Sequence, residues 1–293
     1  MMNLWIGLCK GAHGLPNDFI NHGYCIRAIE RTFANSDMND VKPELIASSS
    51  SLGHTMLLEW KEGPNTVHDQ LLRYSRVHTE DICDKALVPP SECKAHDVVV
   101  IGKLGFQERL ELGLRNGGFP FPLLLVGQNN IQLAMNTFQR SQLNEIFQRG
   151  LTYEPDTVPM SYVPFDVDSA PDLVGESVIP KVLEYMHQRK SQVLLESLCH
   201  DVVPMYSLMG PDYKEQMRKK VKRVMRKASE TKFSHYLKWN SEAKALTSTD
   251  TWDIVNNPIS LSTDKRTQEY QRLRGLQSAF LQDLRSGQER LPF

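Results

Sequence analysis

The chain has 293 residues, 40% of them hydrophobic and 24% charged, with a formal net charge of -1, a composition that excludes a disordered or collagen-like chain and permits a sizeable core. At roughly 150 residues per domain this length suits two domains. No apolar run approaches the ~20 residues needed to span a bilayer, the first residues lack the pattern of a signal peptide, and five irregularly placed cysteines suit reduced thiols in a cytoplasmic protein, with no membrane partner.

The elements predicted from pattern follow in chain order. Residues 16–34 read as a helix opened by Pro16, Asn17 and Asp18, with an apolar stripe of Phe19, Ile26, Ile29 and Phe33. Between that helix and Glu44 no clear strand is legible; residues 3–9 and 38–42 are the candidates. Residues 44–48 and 55–61 are short β-like runs joined by a Ser/Gly turn, hence a hairpin. Residues 66–78 form a helix with Val67, Leu71, Tyr74 and His78 along one side. Residues 96–102 (HDVVVIG) are apolar on both faces, as in a strand covered by helices. A helix over 106–114, a strand over 121–126 and a helix over 130–149 complete one α/β domain, residues 1–150. Cys83, Cys93 and His96 offer metal donors, but no close Cys-x-x-Cys pair accompanies them, so they read as ordinary side chains.

Pro155, Pro159, Pro164 and Pro171 with several acids mark residues 151–172 as a linker. Helices over 178–189, 191–201 and 212–230 follow, then short strands over 236–239 and 252–255. Three helices and a β-hairpin are what a winged helix would give, over residues 173–256. A C-terminal helical arm, 257–293, contains an amphipathic helix over 262–286.

Charge is unevenly spread. Residues 1–150 carry 14 basic and 16 acidic side chains, 151–200 carry 3 and 8, and 201–250 carry 11 and 6. Lys214, Arg218, Lys219, Lys220, Lys222, Arg223, Arg226 and Lys227 put eight positive charges into 14 residues. Met217, Val221, Val224, Met225 and Ala228 form the apolar stripe that lets such a helix dock while its charges stay solvated. A basic helix of this kind is a candidate nucleic-acid surface, with Lys238 and Lys244 near the hairpin extending it. A solvated helix or one facing an acidic partner is the plainer alternative. Arg and Lys without an obvious Asn or Gln reader suggest backbone positioning more than sequence readout.

The chemistry-bearing constellation lies in residues 43–74. Side chains alternate along a strand, so Glu59 and Lys61 share one face while Leu58 and Trp60 share the other. Glu44, after Pro43, begins the partner strand and can approach the same point. Phosphodiester hydrolysis at neutral pH calls for a metal ion to activate water, and Mg²⁺ needs only a few converging carboxylates because it keeps several waters. A lysine two residues from such a carboxylate can orient the water or balance charge in the transition state. Glu30, placed on the buried stripe of the first predicted helix, needs a partner or a metal, because unpaired carboxylates are almost never buried. Glu-x-Lys alone is a common tripeptide and exposed strands often alternate charge; the ordered set carries the signal.

Pro43-Glu44, a gap of 14 residues, then Glu59-Trp60-Lys61 resembles the P-(D/E)…(D/E)-x-K signature of the PD-(D/E)XK nuclease superfamily. Gln70 to Tyr74 is similar to the Q-x-x-x-Y element found downstream in it. The resemblance covers about residues 16–103. It implies a restriction-endonuclease-like mixed sheet flanked by helices, with Glu44, Glu59 and the Trp60 carbonyl on Mg²⁺ or Mn²⁺. It further implies that Lys61 assists the water, that Gln70 supports the site, and that Glu30 occupies a position where members place an acid. The expected function is a metal-dependent endonuclease cutting DNA, or RNA. A non-catalytic subunit that keeps the fold to bind nucleic acid or a partner is the alternative. No G-x-x-x-x-G-K-[ST] loop occurs, so targeting or ATPase activity is expected from protein partners in a defence, restriction or transposition assembly.

Overall fold

A computed structural model describes residues 1–243 and 249–288; Lys244 of the basic footprint and residues 289–293 of the arm lie outside the described residues. The chain divides into two compact units, residues 1–160 with 208–211, and residues 161–207 with 212–293.

Unit 1 is built on a seven-stranded mixed sheet. Its elements in chain order begin with α1 (Met2–Lys10), α2 (Asp18–Asn21), β1 (Tyr24–Ile29), β2 (Phe33–Ala34), β3 (Asp40–Val41), β4 (Leu45–Ser49) and β5 (His54–Lys61). They continue with α3 (His68–Tyr74), α4 (Thr79–Lys85), β6 (Ala95–Lys103), α5 (Gln107–Gly117), β7 (Leu123–Val126), β8 (Asn130–Met135), α6 (Ser141–Gln148) and β9 (Leu151–Thr152). The sheet order is β1-β4-β5-β6-β7-β8-β9. β4 is antiparallel to β1 and β5, whereas β5, β6 and β7 run parallel. β2 and β3 form a separate antiparallel ribbon.

Alternation sorts the sheet's side chains into two cores. Ala28, Ile46, Leu57, Val98, Val100, Leu123 and Leu125 pack with Leu71 and Tyr74 of α3, Ile82 of α4, and Leu110 and Leu114 of α5. The intervening residues Leu45, Ala47, Met56, Leu58, Val99, Ile101 and Leu124 are equally buried and so belong to the other face. An aromatic cluster supplied by α1, α2, β1 and α6 joins Trp5, Phe19, Tyr24 and Phe147 by ring contacts of 5.4–6.2 Å. The segment 208–211 belongs to this unit: the Gly210 N–H donates to the Ile29 carbonyl at 2.8 Å. A Cβ at 210 would stand 2.4 Å from the Glu30 carbonyl oxygen, so only glycine allows this backbone approach.

Several expectations are corrected. Only residues 18–21 of the expected 16–34 helix are helical, and β1 is the strand that was not legible before Glu44. Residues 3–9, a candidate for it, lie in α1, and Asp40–Val41 pairs in the small ribbon. The expected 66–78 helix ends at Tyr74, with a new helix from Thr79, so Val67 and His78 lie outside α3. Residues 130–135 are a strand, not the start of a helix, and Leu151–Thr152 pairs with β8.

Unit 2 contains α7 (Pro171–His187), β10 (Gln192–Leu194), α8 (Leu195–Val202), α9 (Pro211–Glu230), β11 (Leu237–Trp239), β12 (Thr251–Ile254) and α10 (Thr263–Gln288). The strands form one antiparallel sheet, β10-β12-β11; β10 replaces the first turn of the helix expected over 191–201. α10 packs along α7, where a Cβ on Gly175 would stand 2.7 Å from a Leu284 methyl. Arg285 of α10 pairs with Asp172 and Glu176 of α7. No helix among the described residues is long and apolar enough to cross a membrane.

Candidate functional site

β5 carries Leu57, Glu59 and Lys61 on the face covered by α3, because alternate residues of a strand share a side. Glu59 is 4% and Lys61 8% exposed. Two buried charges at this spacing require partners, and they have them. Lys61 Nζ lies 2.9 Å from Glu59 Oε1 and 2.5 Å from Gln70 Oε1. The Gln70 amide closes the triangle by donating from Nε2 to Glu59 Oε1 at 2.7 Å. Tyr74 OH donates to Glu59 Oε2 at 2.9 Å. Gln70 and Tyr74 are four residues apart on α3, hence on one side of it, and both reach the same carboxylate.

Glu44 stands at the mouth of β4. Its N–H donates to the Leu58 carbonyl at 3.1 Å and its carbonyl accepts from Glu30 N at 3.0 Å, so the ladder holds it between β1 and β5. Its Oε2 accepts the Trp60 N–H at 2.6 Å. Burial, then repulsion from Glu59, pushes the Glu44 carboxyl up to about 9, against the opposing pull of the Trp60 N–H. Two acids on adjacent strand ends therefore compete for one region, and one of them is held protonated at neutral pH.

Glu30 is not on a helix. It follows β1 in left-handed backbone, φ 51°, and pairs with Lys42 Nζ at 2.6 Å. It nevertheless comes close enough to Glu44 to raise its carboxyl further. The strand, not a helical stripe, brings it there. Sequence reasoning did not single out Lys42 or Arg73. Both line a cavity of about 230 Å³ whose wall also includes Gln70, Tyr74, Thr32 and Asp40. The arrangement thus offers carboxylates, a fixed ammonium and an adjoining basic recess. Among the described residues no group of three or more His, Cys, Asp or Glu side chains stands ready to hold a metal ion, Glu30, Glu44 and Glu59 included.

In unit 2 the basic side chains of α9 separate into two sets. Lys222 is 2.7 Å from Asp250, an acid only 4% exposed. Lys220 donates to the Ser169 carbonyl, Lys214 to that of Ser207 and Lys227 to that of Asp283. Arg218 pairs with Glu215 at 2.9 Å, whereas Lys219, 4.0 Å from the same acid, stays exposed. Gln216, Lys219, Arg223, Arg226 and Glu230 form the exposed stripe; their spacing of 3 and 4 residues places them on one face. The solvated basic surface is narrower than the count of eight charges suggests.

Unit 1 is thus a mixed α/β domain in which β5 and α3 hold a Glu-Lys-Gln-Tyr network beside a second glutamate whose carboxyl is raised. The chain matches the MJECL32 domain family model over residues 1–163 and belongs to that family. Comparison with curated proteins and with solved structures finds no match.

Proposed function

We propose that this protein is a metal-dependent nuclease of the PD-(D/E)XK type, with unit 1 cutting phosphodiester bonds and unit 2 binding nucleic acid. The observation that carries the reading is the closed Glu59-Lys61-Gln70-Tyr74 network with Glu44 on the adjacent strand. Its elements run helix, strand, strand, strand, helix, strand: α1, β1, β4, β5, α3 and β6, leaving aside the small ribbon and short helices. Two antiparallel steps followed by a parallel one across β1-β4-β5-β6 are the arrangement expected of a restriction-endonuclease-like core. In unit 2, the order α7-β10-α8-α9-β11-β12 with sheet order β10-β12-β11 fits a winged helix.

The residues suit a divalent cation. Burial, then repulsion from Glu59, raises the Glu44 carboxyl, and a cation held by both acids would relieve the repulsion. Glu44, Glu59 and the Trp60 carbonyl would hold Mg²⁺ or Mn²⁺, which supplies water activation and charge stabilisation at phosphorus. Lys61, fixed by Glu59 and Gln70, is an ammonium with a third N–H to offer to a water or phosphate oxygen. Gln70 and Tyr74 hold the Glu59 carboxylate in one rotamer.

A second reading, a non-catalytic subunit keeping the fold, is favoured by one observation: Glu59 already receives three donors. Hydrolysis within an assembly whose partners supply targeting or ATPase activity, in defence, restriction or transposition, and a cytoplasmic location belong to the same proposal. The test is cleavage of labelled DNA and RNA with Mg²⁺ or Mn²⁺ by the wild type, Glu59→Ala and Lys61→Ala. Cleavage by the wild type that both substitutions abolish is the expected result, and the preferred substrate names the nucleic acid. Cleavage surviving both overturns the site, and a wild type that cuts neither favours the second reading.

A further inference from the structure

Trp239 ends β11, an edge strand, and is 42% exposed. It lies directly across from Trp252 in the β11–β12 ladder, so both side chains leave the same side of the sheet. Trp252 is fully buried, and its indole N–H donates to Ser229 Oγ of α9 at 3.3 Å. That side of the sheet therefore packs beneath α9. Trp239, one strand further out, is left at the rim of the helix.

Its neighbours include basic side chains. The Arg226 guanidinium lies 5.4 Å from the centre of the Trp239 ring, within cation–π range yet wider than a stacked contact. Lys238 precedes it and is exposed. A cavity of about 380 Å³ adjoins the ring, lined by Arg226, Ser229, Glu230, Lys238 and Trp239 among others, within the range of small-ligand sites, ~300–1,000 Å³. The exposed stripe of Lys219, Arg223 and Arg226 leads along α9 to this point.

A large indole at the surface beside a guanidinium, at the end of a basic stripe, calls for a ligand that is planar and aromatic beside anionic groups. A nucleobase with its flanking phosphates has that chemistry. Bases inside a closed duplex are stacked on one another and have no free face to give, whereas an unpaired base does. We propose that Trp239, with Arg226 and Lys238, is a stacking site for an unpaired nucleobase, so that unit 2 prefers single-stranded or splayed nucleic acid here. This rests on the nucleic-acid reading of α9 and adds to it the strandedness of the ligand.

The test is fluorescence anisotropy on the full chain at low salt, with labelled single-stranded DNA, single-stranded RNA and a blunt hairpin duplex. One stacked base is worth about 1–3 kcal/mol, so Trp239→Ala should weaken the single-strand complex roughly 5- to 150-fold. Trp239→Phe should keep most of the affinity, and blunt-duplex binding should not change. Lys238→Ala, which removes an exposed side chain, should also weaken the single-strand complex and serves if Trp239→Ala fails to fold. The single strand that shows the loss names the sugar. Single-strand affinity unchanged in Trp239→Ala and Lys238→Ala, or an equal loss on blunt duplex, overturns the stacking site while α9 keeps its role. A wild type that binds none of the three probes overturns the reading of α9 as well.

Discussion

Glu59 accepts from Lys61, Gln70 and Tyr74 while almost fully buried, so each donor stabilises a largely desolvated carboxylate. Tyr74→Phe leaves Oε2 without its donor and should cost about 1–3 kcal/mol, read as a lower denaturation midpoint in urea with unchanged slope. Glu44 works in the opposite direction. Its carboxyl is raised from 4.5 to about 9, so the folded chain holds a proton there that the unfolded chain has lost. Stability from this group is complete below about 4.5 and is lost as pH rises to about 9. Glu44→Gln keeps an acceptor for the Trp60 N–H but cannot ionise. In chelator, its melting temperature should therefore exceed that of the wild type increasingly between pH 6 and 9, while cleavage is lost. Parallel pH profiles for the two proteins would remove Glu44 from the buried pair. A site that destabilises its own fold in this way is the common signature of residues kept for function.

At the scale of elements, the hairpin of β4 and β5, the apolar strand β6 and the Gln70/Tyr74 helix were all legible, because each combines a period with a boundary signal. β1 was not. Ile26, Ile29 and Phe33 fall at helical spacing, and six residues are too few for the two periods to separate. The signals were the left-handed Gly23 (φ 70°) and the alternation of Tyr24 and Ile26 with Cys25 and Arg27. The bulge between Ile26 and Ala28 obscures that alternation, since it turns Ala28 towards the other core. Arg27 gains its partner Glu92 across 65 residues, a pairing no local spacing reveals. β8 was missed although Gly127 to Asn130, directly after a strand, is a turn signal. In α9 the charges were legible but their partners were not. Lys222→Ala exposes that difference, because it removes the cation 2.7 Å from the buried Asp250. It should destabilise unit 2 by about 2–4 kcal/mol, Lys222 being partly solvated. Arg223→Ala, on the exposed stripe, should leave the melting temperature within a degree or two and weaken nucleic-acid binding.

For the molecule as a whole, the family match ends at residue 163, so the stripe on α9 lies outside it and the two units carry separable expectations. Three exposed cations, Lys219, Arg223 and Arg226, predict a modest salt dependence, with log affinity for duplex falling against log salt at a slope of about -3. Replacing all three with Ala should flatten that slope. A slope beyond about -6 would require the hydrogen-bonded and paired lysines of α9 as well. The central claim concerns unit 1: the proposal that Glu44 and Glu59 share a divalent cation. The most direct measurement is Mn²⁺ titration of the wild type and Glu59→Gln, followed by electron paramagnetic resonance of the free ion. The account predicts that the wild type depletes free Mn²⁺ by one equivalent, more tightly as pH rises and Glu44 yields its proton, and that Glu59→Gln does not. Binding of equal strength in both proteins, or none in the wild type, would contradict it.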